Sequence, residues 1–445
     1  MQPAQALTFY SVFPFIGLIM SVALGPIILK QGWHKFYSKI IIALITICFG
    51  LVGYQAGGAF LKDALFHAIL LDYVPFICMI FALFVTSGGI YVRFEGEATL
   101  LNNVALMIVG VVLANLIGTT GASMLLIRPL LNLNHSRHYK RHLVIFFIFI
   151  VSNIGGCLTP VGDPPLFIGY LKGVDFFWPT IHLFKPVVLI LLPLFLFMIL
   201  TDLYYRKKEP FKEKKVHHCK KLSLEIHGKR NFLFIILIPL LVIFGSMSAF
   251  EYSFELAGIP LKASALIRDF GLIFIGYLSY KLTPYEVHHE NHFSFEAFKE
   301  VAWVFLGIFL TLIPIIAVLH LQFEGFFAPF LSLVNPEGVP SPWRYFWSAG
   351  FLSGFLDNAP TYYVFFHLAG GDAVTLMTSQ APVLTALSCA AVFFGALTYI
   401  GNAPNFMVYA LSKHKGIPMP SFLGYIGWSF GILVPLFVFL SWWMF

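Results

Sequence analysis

The chain has 445 residues, 59% of them hydrophobic and 11% charged, with a formal net charge of +7. A soluble domain carries about 25% charged residues, so this composition excludes a water-soluble globular protein and describes a polytopic membrane protein. In such a chain the basic excess is read first as topology rather than as a surface for nucleic acid.

A crossing needs about 20 apolar residues, and full crossings are expected near 11–29, 38–55, 72–92, 143–171, 181–203, 231–250, 262–281, 301–321, 381–411 and 421–443. No Lys or Arg precedes the first run, so it is expected as a retained span and not a signal peptide. Two further apolar runs, 101–127 and 345–369, carry turn chemistry at their centres. The first reads Asn115–Leu116–Ile117–Gly118–Thr119–Thr120–Gly121–Ala122–Ser123, and the second reads Phe355–Leu356–Asp357–Asn358–Ala359–Pro360–Thr361. Both suit re-entrant hairpins better than spans. The five cysteines are scattered singly, which predicts neither a disulfide nor a zinc site.

With the N-terminus outside and both hairpins returning to their own side, most of the 28 Lys and Arg residues face inward. Only Lys62, Lys172, Lys185, Lys262, Arg268 and Arg344 fall elsewhere. If 101–127 crossed as an ordinary helix, the strongly basic loop 204–230 would lie on the wrong side. That loop is therefore expected to be a cytoplasmic linker between residues 1–203 and 231–445. Each half has three crossings, a hairpin, a broken crossing and a final crossing. Five crossings per half is odd, so the halves must be inverted. The expected fold is an all-α integral membrane protein of two inverted-topology repeats, each with five transmembrane helices and one re-entrant hairpin.

The centre of the first half is the stretch Ser152–Asn153–Ile154–Gly155–Gly156–Cys157–Leu158–Thr159–Pro160–Val161–Gly162–Asp163–Pro164–Pro165. Three glycines weaken a helix here, and three prolines remove amide donors and clash with preceding carbonyls. A bilayer tolerates such a break only where protein buries it or it lines a watery cavity. The same pattern returns at Gly395–Ala396–Leu397–Thr398–Tyr399–Ile400–Gly401–Asn402–Ala403–Pro404. Thr119 then corresponds to Asp357, and Asp163 to Asn402, at nearly equal offsets along the chain.

Four interrupted elements thus converge. Hydroxyls, amide oxygens and freed carbonyls suit a small cation, while half-helix N-termini suit a carboxylate, so the scaffold fits either a cation carrier or an anion symporter. A carboxylate at the bilayer centre costs about 2.5–3.5 kcal/mol and must be relieved by a cation or a proton. Asp163 and Asp357 are therefore candidate ion- and proton-binding groups, with helix capping as the structural alternative for each. Thr119, Thr120, Thr159, Asn358 and Asn402 are candidates to complete an oxygen cage. Asn115, Asn153, Gly155, Gly156, Gly162, Thr361 and Gly401 are expected to support it. Asp72 reads as interfacial, and Arg268–Asp269 as a structural ion pair. His217–His218 and the group His288, His289 and His292 read as solvated loop residues, with pH sensing the lesser alternative. No nucleophile–base set, P-loop, HExxH or nucleotide fingerprint is present, so no enzyme and no cofactor is expected.

The pattern N-I-G-G-x-x-T-P-x-G-D-P-P at Asn153–Pro165 resembles the ion transporter superfamily. That group includes NhaD-type sodium/proton antiporters, citrate-metal symporters, arsenite permeases and divalent-anion/sodium symporters. Asp357–Asn358–Ala359–Pro360–Thr361 is similar to its second-half motif. The resemblance implies a scaffold domain and a transport domain in a plasma-membrane homodimer with elevator-like movement. Dicarboxylate members carry a Ser-Asn-Thr signature at the two tips. Here those places read Thr119–Thr120–Gly121 and Asp357–Asn358–Ala359, which leans toward sodium/proton exchange, with citrate or other anion transport as the alternative.

Overall fold

The computed structural model describes residues 3–29, 32–209, 223–246 and 252–445. Lys30, most of the basic linker (210–222, with His217 and His218) and the end of the 231–250 run lie outside the described residues.

The chain is a helical membrane protein. In the first half, α1 (Phe13–Ile28), α2 (Trp33–Ala56) and α3 (Gly58–Gly88) precede the short strand β1 (Tyr91–Glu95). Next come α4 (Leu100–Leu133), α5 (Arg141–Ile150), α6 (Pro164–Leu171) and α7 (Trp178–Lys208). The second half opens with strand β2 (Ser223–His227), α8 (Asn231–Ser246), strands β3 (Ser253–Leu256) and β4 (Ile259–Lys262), α9 (Ala263–Leu282), α10 (Tyr285–Glu290) and α11 (Phe295–Leu319). It closes with α12 (Ala328–Val334), α13 (Pro342–Phe355), α14 (Asn358–Leu368), α15 (Ala373–Met377), α16 (Ala381–Phe394), α17 (Ala403–His414) and α18 (Phe422–Met444). Among the described residues six helices are long and apolar enough to cross a membrane, and α8 and the half-helix that precedes each break are shorter apolar pieces.

The strands correct a purely helical expectation. Ala257 and Gly258 both have positive φ, which suits a tight β3–β4 hairpin. β1 and β2 come from different halves and pair antiparallel, from Tyr91↔His227 to Glu95↔Ser223. Arg128 reaches Asn291, Arg206 reaches the Ala98 carbonyl, and Arg141 reaches that of Pro418. The basic connections from distant parts of the chain are thereby gathered at one end of the bundle.

Neither interrupted run is straight. In α4, Gly118 adopts φ 76° and ψ 157°, a conformation open to glycine and strained for other residues. The arm 119–133 folds back along 100–117. Asn103 and Asn134 at their far ends exchange two amide hydrogen bonds, of 3.1 and 2.7 Å. α13 and α14 form the second hairpin, with the rings of Tyr345 and Phe365 6.0 Å apart across its arms. α3 and α11 meet through Phe76, whose ring lies 4.5 Å from that of Phe305. Phe76 also packs on Phe167 of α6, so this core supports the first break directly.

Candidate functional site

After α5 the chain leaves helical geometry at Asn153, makes one 3-10 turn over Ile154–Gly156 and re-enters a helix at Pro164. Pro is tolerated there because the first helical N–H groups have no intrahelical partner. Asp163 is the N-cap, extended at φ −145° and ψ 142°, and makes no side-chain cap bond. The chain folds tightly enough at Gly162 that a Cβ there would collide with the Gly156 carbonyl oxygen.

Freed from capping, the Asp163 carboxylate is 1% exposed and is held by both hairpin tips. Thr119 Oγ1 donates to one carboxylate oxygen at 2.8 Å, and Asn358 Nδ2 donates to the other at 2.6 Å. The Thr119 amide N–H also donates to the Gly162 carbonyl at 2.8 Å, locking the first tip onto the break. Asp357, next to Asn358, occupies the N-cap of α14 without a side-chain cap bond and is close enough to Asp163 to interact with it electrostatically. Thr361 donates to the Asp357 carbonyl rather than to its carboxylate. The two acids therefore sit together where the hairpins meet.

One atom in this cluster lacks a partner. Asn358 is fully buried, its Nδ2 is committed to Asp163, and its Oδ1 accepts no hydrogen bond. A buried, unsatisfied amide oxygen costs about 1–3 kcal/mol. Set beside two carboxylates, it is a hard oxygen donor suited to a cation or to the proton of a neutral acid.

The remaining candidates divide into two groups. Asn402 is the N-cap of α17 and points at Asn153 Oδ1 (3.3 Å) and the Ser152 carbonyl (3.4 Å). Asn153 in turn donates to Asn405 Oδ1 at 2.7 Å, and Asn405 donates to the carbonyls of Gly395 and Thr398. This amide chain ties the two broken crossings to each other, and Asn405 is a member that the motif reading did not single out. Asn115, Thr159 and Gly155 brace the first break. Asn115 Nδ2 donates to the Gly155 carbonyl, its Oδ1 accepts from the Leu158 N–H, and the Thr159 hydroxyl donates to its backbone carbonyl at 2.7 Å. Thr120 is half-buried beside Thr119, and Gly401 packs against the carbonyls of Gly354 and Gly395.

Two charged clusters flank the site. Asp72 is buried, 3% exposed inside α3, within a π-helical segment Ala68–Tyr73. It pairs with Lys172 Nζ at 2.6 Å and accepts from Tyr363 Oη at 2.7 Å, so it bonds both the end of α6 and the second arm of the second hairpin. A π-bulge of this kind re-aims a side chain within a helix. At the other end, Asp202 of α7 binds Arg137, His142 and Arg206. Arg268 and Asp269 form the expected ion pair, at 2.7 Å. His289 and His292 are exposed, but His288 is a correction. It packs on Tyr280 and Phe293 with both ring nitrogens buried, and burial holds its imidazole below the usual range.

Residues 4–445 match the model of a family, CitMHS_2, whose description reads "Putative citrate transport". No curated protein matches the chain.

Proposed function

We propose that this chain, which belongs to that citrate-transporter-like family of ion transporters, is a sodium/proton antiporter working by alternating access. Membership in a transport family already makes it a transporter rather than an enzyme. The observation that carries the finer reading is the Asp163 carboxylate, buried between Thr119 and Asn358 with the unpartnered Asn358 Oδ1 beside it.

Asp163 accepts either a proton or, with Asp357 and the amide and hydroxyl oxygens around it, a sodium ion. A buried carboxylate holds one such charge at a time, and this competition couples the two fluxes. The two hairpins are re-entrant from opposite sides, the halves are inverted, and the linker 204–230 is cytoplasmic. The protein works in the plasma membrane as a homodimer, with the hairpins and broken crossings moving together past the remaining helices. The partners are small ions and the bilayer, with no cofactor.

A second reading is favoured by the family description and by one feature of the site. The N-terminus of α17 is capped by the neutral Asn402, whose side chain makes no cap bond, and a positive helix end favours an anion. In this reading the protein moves citrate or a related anion with sodium or protons. Reconstituted vesicles separate the two. An antiporter collapses an imposed pH gradient when sodium or lithium is added without organic substrate. Labelled citrate uptake that requires a cation gradient, with no gradient collapse by sodium alone, would overturn the antiport reading in favour of the second.

A further inference from the structure

Away from the transport site, at the end where the basic segments gather, lies a cleft of 380 Å³ between the start of α5, the end of α7 and the start of α18. Arg137, His138, Lys140, Arg141, Tyr205 and Trp428 are among its lining residues. Arg137 is only 8% exposed. Its Nη1 bonds Asp202 at 2.5 Å and its Nε reaches Glu209 at 3.5 Å, but its Nη2 is buried without a partner. Asp202 cannot balance the rest, because its two oxygens are shared among Arg137, His142 and Arg206. Glu209 is occupied by the backbone N–H groups of His138 and Tyr139. The cationic side chains Arg137, Lys140, Arg141 and Arg206 therefore face two carboxylates, with His138 and His142 adding charge on protonation.

The backbone adds to this field. α5 starts at Arg141, and its N-cap Lys140 supplies no side-chain acceptor; the Leu143 N–H turns back to the Lys140 carbonyl, and the positive end of a ten-residue helix lies at the cleft. Lys140 is itself partly buried, which pushes its ammonium below the usual range against the pull of Glu209. Beyond Glu209 the sequence adds Lys212, Lys214, Lys215, Lys220 and Lys221 against a single Glu213.

The rim says where the anion comes from. Trp428 lies in the second turn of α18, the last membrane-length helix, and Tyr205 stacks on Tyr139 with ring centroids 5.5 Å apart. Indole and phenol rings at a helix end mark the headgroup level of a bilayer, and basic pockets between helices at such a level hold anionic headgroups. We propose that this cleft binds the phosphate of an anionic phospholipid headgroup, between Arg137, Lys140, Arg141 and the start of α5.

The test is thermal unfolding of the detergent-purified full chain with phosphatidylglycerol, phosphatidylcholine or inorganic phosphate. Phosphatidylglycerol should raise the midpoint by about 2–4 °C, and phosphatidylcholine should leave it unchanged. The Lys140→Ala/Arg141→Ala variant should lose the shift, and Lys140→Arg/Arg141→Lys should keep it. If the alanine pair folds poorly, Arg141→Gln alone should reduce the shift. A shift of equal size from inorganic phosphate would overturn the lipid source and leave a soluble-anion site. Equal shifts from both lipids, or a phosphatidylglycerol shift that survives in the alanine pair, would overturn the site itself.

Discussion

The two broken crossings share a backbone and differ in charge. Asp163 and Asn402 cap equivalent half-helices at φ/ψ of −145°/142° and −153°/141°. Ahead of each cap a threonine hydroxyl donates to a hairpin carbonyl: Thr159 to Asn115 at 2.7 Å, and Thr398 to Gly354 at 2.8 Å. A hydroxyl of the final crossing closes each break as well, with Thr180 donating to the Leu158 carbonyl and Ser429 to that of Leu397. The freed carbonyls of a broken helix need partners in a medium without water, and both halves supply them in the same way. Of the two breaks only the first carries an acid, Asp163, and its second donor, Asn358, and the neighbouring acid Asp357 come from the hairpin of the second half. The two breaks share their backbone bracing, and the carboxylate carried by only one of them, set beside Asp357, gives the site its asymmetry of charge.

The largest effect should come from erasing that difference. Asp163→Asn makes the first break resemble the second and is nearly isosteric, so the Thr119 and Asn358 contacts can re-form around a neutral amide. Ion-coupled transport in vesicles should fall to background while the protein still elutes as a folded species in size-exclusion chromatography. Transport close to wild type would show that the charge asymmetry is structural only.

Next in size is the test of the shared backbone. A methyl on Gly162 would meet the Gly156 carbonyl oxygen head-on, whereas a methyl on Gly401 would sit 2.8 Å from the Gly354 carbonyl oxygen and 2.9 Å from that of Gly395. Neither neighbour is the end of a flexible side chain. Gly162→Ala should therefore destabilise by about 3 kcal/mol and Gly401→Ala by about 1–2 kcal/mol, read as the fall in thermal midpoint in detergent. Equal or reversed effects would mean that the two turns are not built alike.

What the sequence could disclose follows from how far apart the interacting residues lie. The breaks were legible because proline and glycine act locally. Arg268–Asp269 was legible for the same reason, since the partners are neighbours. Asn405 was not, because it stands inside a half-helix where an amide reads as ordinary polar packing until Asn153 appears opposite it. The partners of Asp72 were hidden as well, because Lys172 and Tyr363 are distant in the chain and a π-helical segment inside α3 aims it at them. The pairing of Tyr91–Glu95 with Ser223–His227 spans the two halves, and no local pattern in either segment announces the other.

The smallest expected effect is the most discriminating for the comparison. Thr159 stood among the candidate cage residues, yet its hydroxyl is engaged by the Asn115 carbonyl, as that of Thr398 is by Gly354. Valine keeps the shape of threonine and removes only the donor, leaving a carbonyl short of one partner. If both threonines are braces, Thr159→Val and Thr398→Val should each cost about 1–2 kcal/mol of stability and leave the apparent affinity for the coupling cation unchanged. If Thr159 instead lends its oxygen to the ion, only its variant should weaken that affinity, by about tenfold for a loss of 1.4 kcal/mol. Cation titrations of transport on the two variants side by side distinguish the cases, because the shared backbone predicts equal behaviour and an ion ligand predicts a difference confined to the half that carries Asp163.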